Sequence, residues 1–155
     1  MKTLGSGTAV LAAMPSADAR QERIKVGVIT NAEGAHVDLY FSALAETQEV
    51  ESVVLADPSG KVVSDARKRL GNKLTATYDS FAAMLDRETP VLALVSLEAR
   101  LAPPAVEAAL NAGCHVVAGK PARAGNGFRR LPFGRDGTAP RLAVTGGRAF
   151  NTLRP

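Results

Sequence analysis

The sequence predicts an α/β fold in which a doubly wound parallel sheet lies between two layers of helices, three layers in all, followed by an irregular C-terminal tail. Three observations carry this. Short apolar runs alternate with segments of helical periodicity from residue 24 to residue 118. The helical segments run to about 8–12 residues, the crossover length that parallel neighbours need. The runs are apolar at successive positions, as in strands buried on both faces.

Residues 24–29 (Ile-Lys-Val-Gly-Val-Ile) form the first expected strand, rich in β-branched side chains. Residues 30–35 are a polar loop. Val37, Tyr40, Phe41 and Leu44 then fall at i, i+3, i+4 and i+7, one face of a helix over 36–45. Residues 50–56 are the second strand, and Asp57-Pro58-Ser59-Gly60 is a turn. A helix over 62–70 turns Val63, Ala66 and Leu70 inward and Lys68 and Arg69 outward, and Gly71-Asn72 ends it. A short strand over 74–77 follows. Asp79 or Ser80 caps the next helix, which carries Phe81, Met84 and Leu85. Residues 90–95 are the fourth strand. Pro103-Pro104 opens a helix whose inner face is Val106, Ala109 and Leu110. Gly113 ends that helix in the left-handed conformation, and residues 115–118 are a fifth, buried strand. No internal repeat is present.

Composition sets the class. The 155 residues are 46% hydrophobic and 22% charged, enough to bury a core and consistent with one domain. Cys114 is the only cysteine, which excludes an internal disulfide, and its place at a strand entrance reads as a small buried hydrophobe. The net charge of +4 is unevenly spread. Residues 1–121 carry 12 Lys and Arg against 14 Asp and Glu. Residues 122–155 carry seven Arg against one Asp, scattered among six Gly and three Pro. That is not the basic folded face a nucleic acid requires.

The ends read differently from the body. Residues 1–22 are expected to be a leader. Lys2, a weakly apolar run over 4–14 and Ala17-Asp18-Ala19 resemble the second half of a twin-arginine export signal without its arginine pair. Export to the periplasm follows if that reading holds, and a cytoplasmic location if it does not. No stretch reaches membrane-spanning length. Residues 23–121 are the expected domain. Residues 122–155 break the rhythm, and only 141–145 suit a strand. A shifted reading frame or a natural flexible tail both fit that composition.

In open α/β sheets ligands bind past the carboxyl ends of the strands, and a helix N-terminus there favours anions. In Thr30-Asn31-Ala32-Glu33-Gly34-Ala35-His36 only Gly34 can stand for a phosphate-loop glycine, because Gly27 lies inside the strand. Thr30, Asn31, His36 and the backbone N–H groups of Gly34 and Ala35 are the candidate phosphate donors. Glu33 would repel a phosphate if it pointed inward. Asp57, ending the second strand, suits an adenosine ribose and disfavours a 2′-phosphate, so NAD is expected, with NADP the alternative. Its other reading is a turn residue. Ser96, after the fourth strand, is a further cofactor contact. Lys120 and Pro121 close the fifth strand, Lys120 where a cation could meet cofactor or substrate. His115 reads as structural. Two histidines without carboxylates at ligand spacing make no metal site.

These residues resemble the N-terminal NAD(P)-binding Rossmann domain of the Gfo/Idh/MocA oxidoreductases. The resemblance spans residues 24–121 and is most specific in Ala108-Ala109-Leu110-Asn111-Ala112-Gly113-Cys114-His115-Val116-Val117-Ala118-Gly119-Lys120-Pro121, where the family reads A-L-x-A-G-K-H-V-x-x-E-K-P. It implies hydride transfer between a nicotinamide cofactor and a sugar-like alcohol or polyol. It implies that Lys120 is the catalytic cation steadying charge on the substrate oxygen. Four departures stand out. The first loop lacks G-x-G-x-x-G. Gly119 replaces the glutamate before the lysine. Ser96-Leu97-Glu98-Ala99 replaces the Pro-Asn expected after the fourth strand. The family's C-terminal substrate domain, which also builds its oligomers, has no counterpart here, so a truncated, monomeric chain is expected. The rival readings are a non-catalytic nucleotide-binding fragment and a receiver-like signalling domain. The receiver lacks its acidic pair after strand one.

Overall fold

The computed structural model describes residues 23–119 and 142–144. Its elements run β1 (Ile24–Thr30), α1 (Val37–Glu46), β2 (Val50–Ala56), α2 (Val63–Leu70), β3 (Leu74–Tyr78), α3 (Phe81–Glu88), β4 (Leu92–Ser96), α4 (Ala102–Asn111), β5 (His115–Ala118) and β6 (Leu142–Val144). The strands pair in the order β3-β2-β1-β4-β5-β6, all parallel. The expected doubly wound, Rossmann-like sheet is present. Its edge is extended by β6, which falls within the one stretch of the tail that suited a strand.

Strand side chains alternate between two cores, which explains the unbroken apolar runs. Val26, Val28, Val53 and Leu55 pack under α1 and α2 with Phe41, Leu44 and Ala66. Ile29, Val54, Ala93, Val95 and Val116 face α3 and α4 with Met84, Val106, Ala109 and Cys114. Burial pushes the Cys114 thiol above its ordinary pKa, as a small core group requires. Gly27 has a packing role. A Cβ there would lie 2.9 Å from Pro90 Cγ and 3.0 Å from Met84 Cε, so β1 lies tight against the entry to β4.

The helix ends follow local chemistry. Ser80, not Asp79, caps α3, its Oγ accepting from the Ala83 N–H at 3.5 Å. The two prolines sit in the first turn of α4, where no intrahelical N–H is lost. Gly113 takes φ 85° just past the end of α4. The Lys73 Nζ donates to the carbonyls of Leu44, Ala45 and Thr47 at 3.0, 2.8 and 2.7 Å, closing the C-terminal end of α1 with a cation from another element. One expectation is corrected. His115 is exposed, because it is the first residue of β5 and burial begins at Val116.

Candidate functional site

The strand order reverses at β1, whose neighbours are β2 on one side and β4 on the other. The β1–α1 and β4–α4 loops therefore lead to helices on opposite faces of the sheet, the switch point at whose carboxyl edge such folds bind ligands. Thr30 and Ser96, the last residues of β1 and β4, pair in register there. Both are buried. Thr30 Oγ1 donates to the Ser96 carbonyl at 2.9 Å, and Ser96 Oγ donates to the Ala35 carbonyl at 2.7 Å. These bonds satisfy polar groups that would be costly to bury alone, and they fasten the β1–α1 loop onto the end of β4.

Gly34 is the contact point. A Cβ there would collide with Thr30 Oγ1 and lie 2.6 Å from the Ser96 carbonyl oxygen and 2.8 Å from Val37 Cγ2. The glycine is needed for close approach rather than for a left-handed backbone. Asn31 shapes the preceding turn, its Oδ1 accepting from the Glu33 N–H at 3.0 Å and its carbonyl from the Gly34 N–H at 3.1 Å. His36 precedes α1 with φ 60° and ψ 23°, a left-handed conformation unusual for a residue with a side chain. The His36 side chain does not cap α1, so the helix's first N–H groups are not satisfied by it.

Asp57 follows β2 on the same edge and is buried. Its Oδ1 accepts from the Ser59 N–H at 3.0 Å and the Ser59 hydroxyl at 2.6 Å, and its Oδ2 from the Val62 N–H at 2.9 Å. The carboxylate thus builds the β2–α2 turn, the bland role that sequence allowed, while staying at the rim. Past β5, the Gly119 N–H donates to the Val95 carbonyl at 2.9 Å. A Cβ at Gly119 would stand 2.9 Å from Tyr40 Oη, so the chain leaves β5 close against α1. Lys120 and Pro121 lie outside the described residues.

Sequence reading missed the influence of one acid on another. Glu98, on the β4–α4 loop, raises the pKa of Glu33, on the β1–α1 loop, first as a hydrogen-bonding neighbour and then through its charge. Arg100 and Lys61 pull the other way. Arg100 Nε also pairs with Glu98 Oε2 at 3.2 Å. Spacing could not reveal this, since 65 positions separate the two acids and only the switch in strand order joins them. Among the described residues, no group of three His, Cys, Asp or Glu could hold a metal ion. No described helix is long and apolar enough to cross a membrane. A groove on the α3–α4 seam, lined by Leu85, Asp86, Thr89, Ala108 and Asn111, is separate from this edge.

Strand order, a close-packed glycine loop and a carboxylate ending β2 together define a dinucleotide-binding type of Rossmann domain. Residues 19–126 match the model of the oxidoreductase family with an NAD-binding Rossmann fold, GFO_IDH_MocA, and the chain belongs to that family. Its resident cofactor class is therefore a nicotinamide dinucleotide. Solved structures share the fold. Scyllo-inositol dehydrogenase from Lactobacillus casei, with NAD(H) and scyllo-inositol bound, is 22% identical with a TM-score of 0.57, over 65% of this chain and 29% of that one. Biliverdin reductase from Synechocystis sp. PCC 6803, in complex with biliverdin and NADP+, is 18% identical with a TM-score of 0.53, over 77% and 37%. A levoglucosan dehydrogenase in complex with NADH and levoglucosan is 18% identical with a TM-score of 0.50, over 63% and 28%. No curated protein matches the chain significantly.

Proposed function

We propose that the carboxyl edge of β1, β2 and β4 holds NAD(H), as the cofactor half of an oxidoreductase acting on a sugar-like or polyol alcohol. The observation that carries this is Gly34 wedged between Thr30, Ser96 and Val37. A side chain would lift the loop off the sheet. Without one, the loop lies flat and the start of α1 is left open to an anion. Thr30, Asn31, Gly34, Ala35, His36 and Ser96 form the pyrophosphate side of the site. The Ser96 and Thr30 hydroxyls act by holding the loop, and the N–H groups of Ala35 and His36 are the donors, that of Gly34 being taken by the Asn31 carbonyl. Asp57 takes the adenosine ribose. Its Oδ2 accepts only the Val62 N–H and keeps a second lone pair, and a buried carboxylate accepts hydroxyls but meets a 2′-phosphate as like charge. NAD is therefore preferred over NADP.

The cofactor supplies hydride exchange with an alcohol carbon when bound. The chain's own part is to orient the dinucleotide across the strand ends, with Lys120 and Pro121 closing the site beyond β5 and the Lys120 ammonium steadying charge on the substrate oxygen. The substrate class follows the inositol and levoglucosan dehydrogenases among the neighbours. A second reading has its own support. It is a nucleotide-binding unit without turnover, and the chain spans 29% of the inositol dehydrogenase and 28% of the levoglucosan dehydrogenase. Neither reading involves nucleic acid, because the acidic side chains outnumber the basic ones up to residue 121.

Calorimetric titration with NADH and NADPH, beside an assay of polyol oxidation, tests this. Saturable NADH binding tighter than NADPH is expected. Turnover separates enzyme from holder. No binding of either nucleotide rejects both readings.

A further inference from the structure

We infer that Ser59 is a second recognition residue for the adenosine ribose, its Oγ accepting the hydroxyl that Asp57 cannot. The inference rests on the preceding reading of this edge as the cofactor site. A ribose presents two neighbouring hydroxyls, and an unencumbered carboxylate meets such a pair with both of its oxygens. Asp57 has only one to offer. Its Oδ1 accepts from the Ser59 N–H at 3.0 Å and from the Ser59 hydroxyl at 2.6 Å, which fills both lone pairs. Its Oδ2 accepts the Val62 N–H at 2.9 Å and keeps one lone pair for a single hydroxyl.

The other hydroxyl falls to Ser59, which is exposed at the rim where Asp57 is buried. A carboxylate has no proton to give, so the proton in the 2.6 Å contact belongs to Ser59. The hydroxyl is thereby turned so that it can only accept from outside. Of its two lone pairs, one takes the Lys61 N–H at 3.3 Å and the other is open. The charge-assisted bond to Asp57 polarises the oxygen and makes it a better acceptor. The turn holds it in place, because the Gly60 N–H donates to the Asp57 carbonyl at 3.1 Å and the Lys61 N–H closes on Ser59. Ser59 thus extends Asp57 outward as a neutral acceptor. A ribose hydroxyl can fill it, and a phosphate oxygen without a proton cannot.

The test uses the full 155-residue chain. NADH and its 2′-deoxyadenosine and 3′-deoxyadenosine analogues are titrated calorimetrically into the native chain, Ser59→Ala and Ser59→Thr. The native chain should bind each analogue about three- to tenfold more weakly than NADH, one hydrogen bond being lost each time. Ser59→Ala should bind NADH more weakly by a similar factor. It should then be indifferent to the loss of one of the two hydroxyls, while still sensing the other through Asp57. Ser59→Thr should restore the native pattern. A merely structural turn residue would instead leave Ser59→Ala sensitive to both hydroxyls. That result, or native NADH affinity in Ser59→Ala, or a native chain indifferent to both analogues, overturns the inference and leaves the cofactor site standing. Failure of the native chain to bind NADH overturns both.

Discussion

The Thr30 hydroxyl donates to the Ser96 carbonyl across 2.9 Å, joining the ends of two strands that are neighbours in space and 66 residues apart in sequence. It is buried, and it forms the floor on which the β1–α1 loop rests. Thr30→Val keeps the shape and leaves the carbonyl without its partner. The expected cost is about 1–2 kcal/mol in urea unfolding, together with weaker NADH binding. Ser96→Ala frees the Ala35 carbonyl and should cost a similar amount.

Gly34→Ala tests close approach directly. The added methyl must displace Thr30, the β4 carbonyl or Val37. A loss of about 1–3 kcal/mol is expected from overpacking, with NADH affinity falling more than the stability loss explains. Gly60→Ala strains a φ of 67° but meets nothing within 4 Å. It should cost about 1 kcal/mol and leave binding intact.

Lys73 gathers three carbonyls at the end of α1. Lys73→Met keeps most of the stem and removes the cation. About 1 kcal/mol should be lost in chemical denaturation, and hydrogen exchange should quicken in the last turn of α1 while α4 is unchanged.

Glu88 ties three elements. Its Oε2 accepts from Lys25 Nζ at 2.7 Å and its Oε1 from the Tyr78 hydroxyl at 2.6 Å. These bonds hold its pKa below the usual carboxylate range, against a smaller effect of burial. A depressed folded pKa stabilises the fold above the unfolded pKa, and that stability is lost as pH falls through the folded value. Glu88→Gln should therefore be less stable than the native chain at pH 7, and the gap should close in acid. The Tyr78 phenol is shifted upward, first by its bond to Glu88. Its contribution is complete below the unfolded phenol pKa and fades as pH rises through the folded one. Spectrophotometric titration should show Tyr78 ionising later than a free tyrosine, and Glu88→Gln should bring it back down.

The sheet was legible because burial on both faces writes apolar residues at successive positions, as in Val53, Val54 and Leu55. Gly34 was legible as the one glycine in the right loop. Its reason was not, because the collision involves Thr30 and a carbonyl 62 residues away. Asp57 shows the same limit. Its place at the end of β2 is written locally, while the three donors that occupy it depend on how Ser59 and Val62 fold back. Tertiary pairing without a local signature hid the Lys25–Glu88–Tyr78 link and the influence of Glu98 on Glu33 entirely.

The most direct measurement is backbone amide chemical-shift mapping as NAD(H) is titrated into the full chain. The account predicts the largest shifts at Gly34, Ala35, His36 and the first turn of α1, with smaller ones around Asp57 and Ser96. Shifts confined to the α3–α4 groove near Thr89 and Asn111, or none at saturating nucleotide, would contradict it.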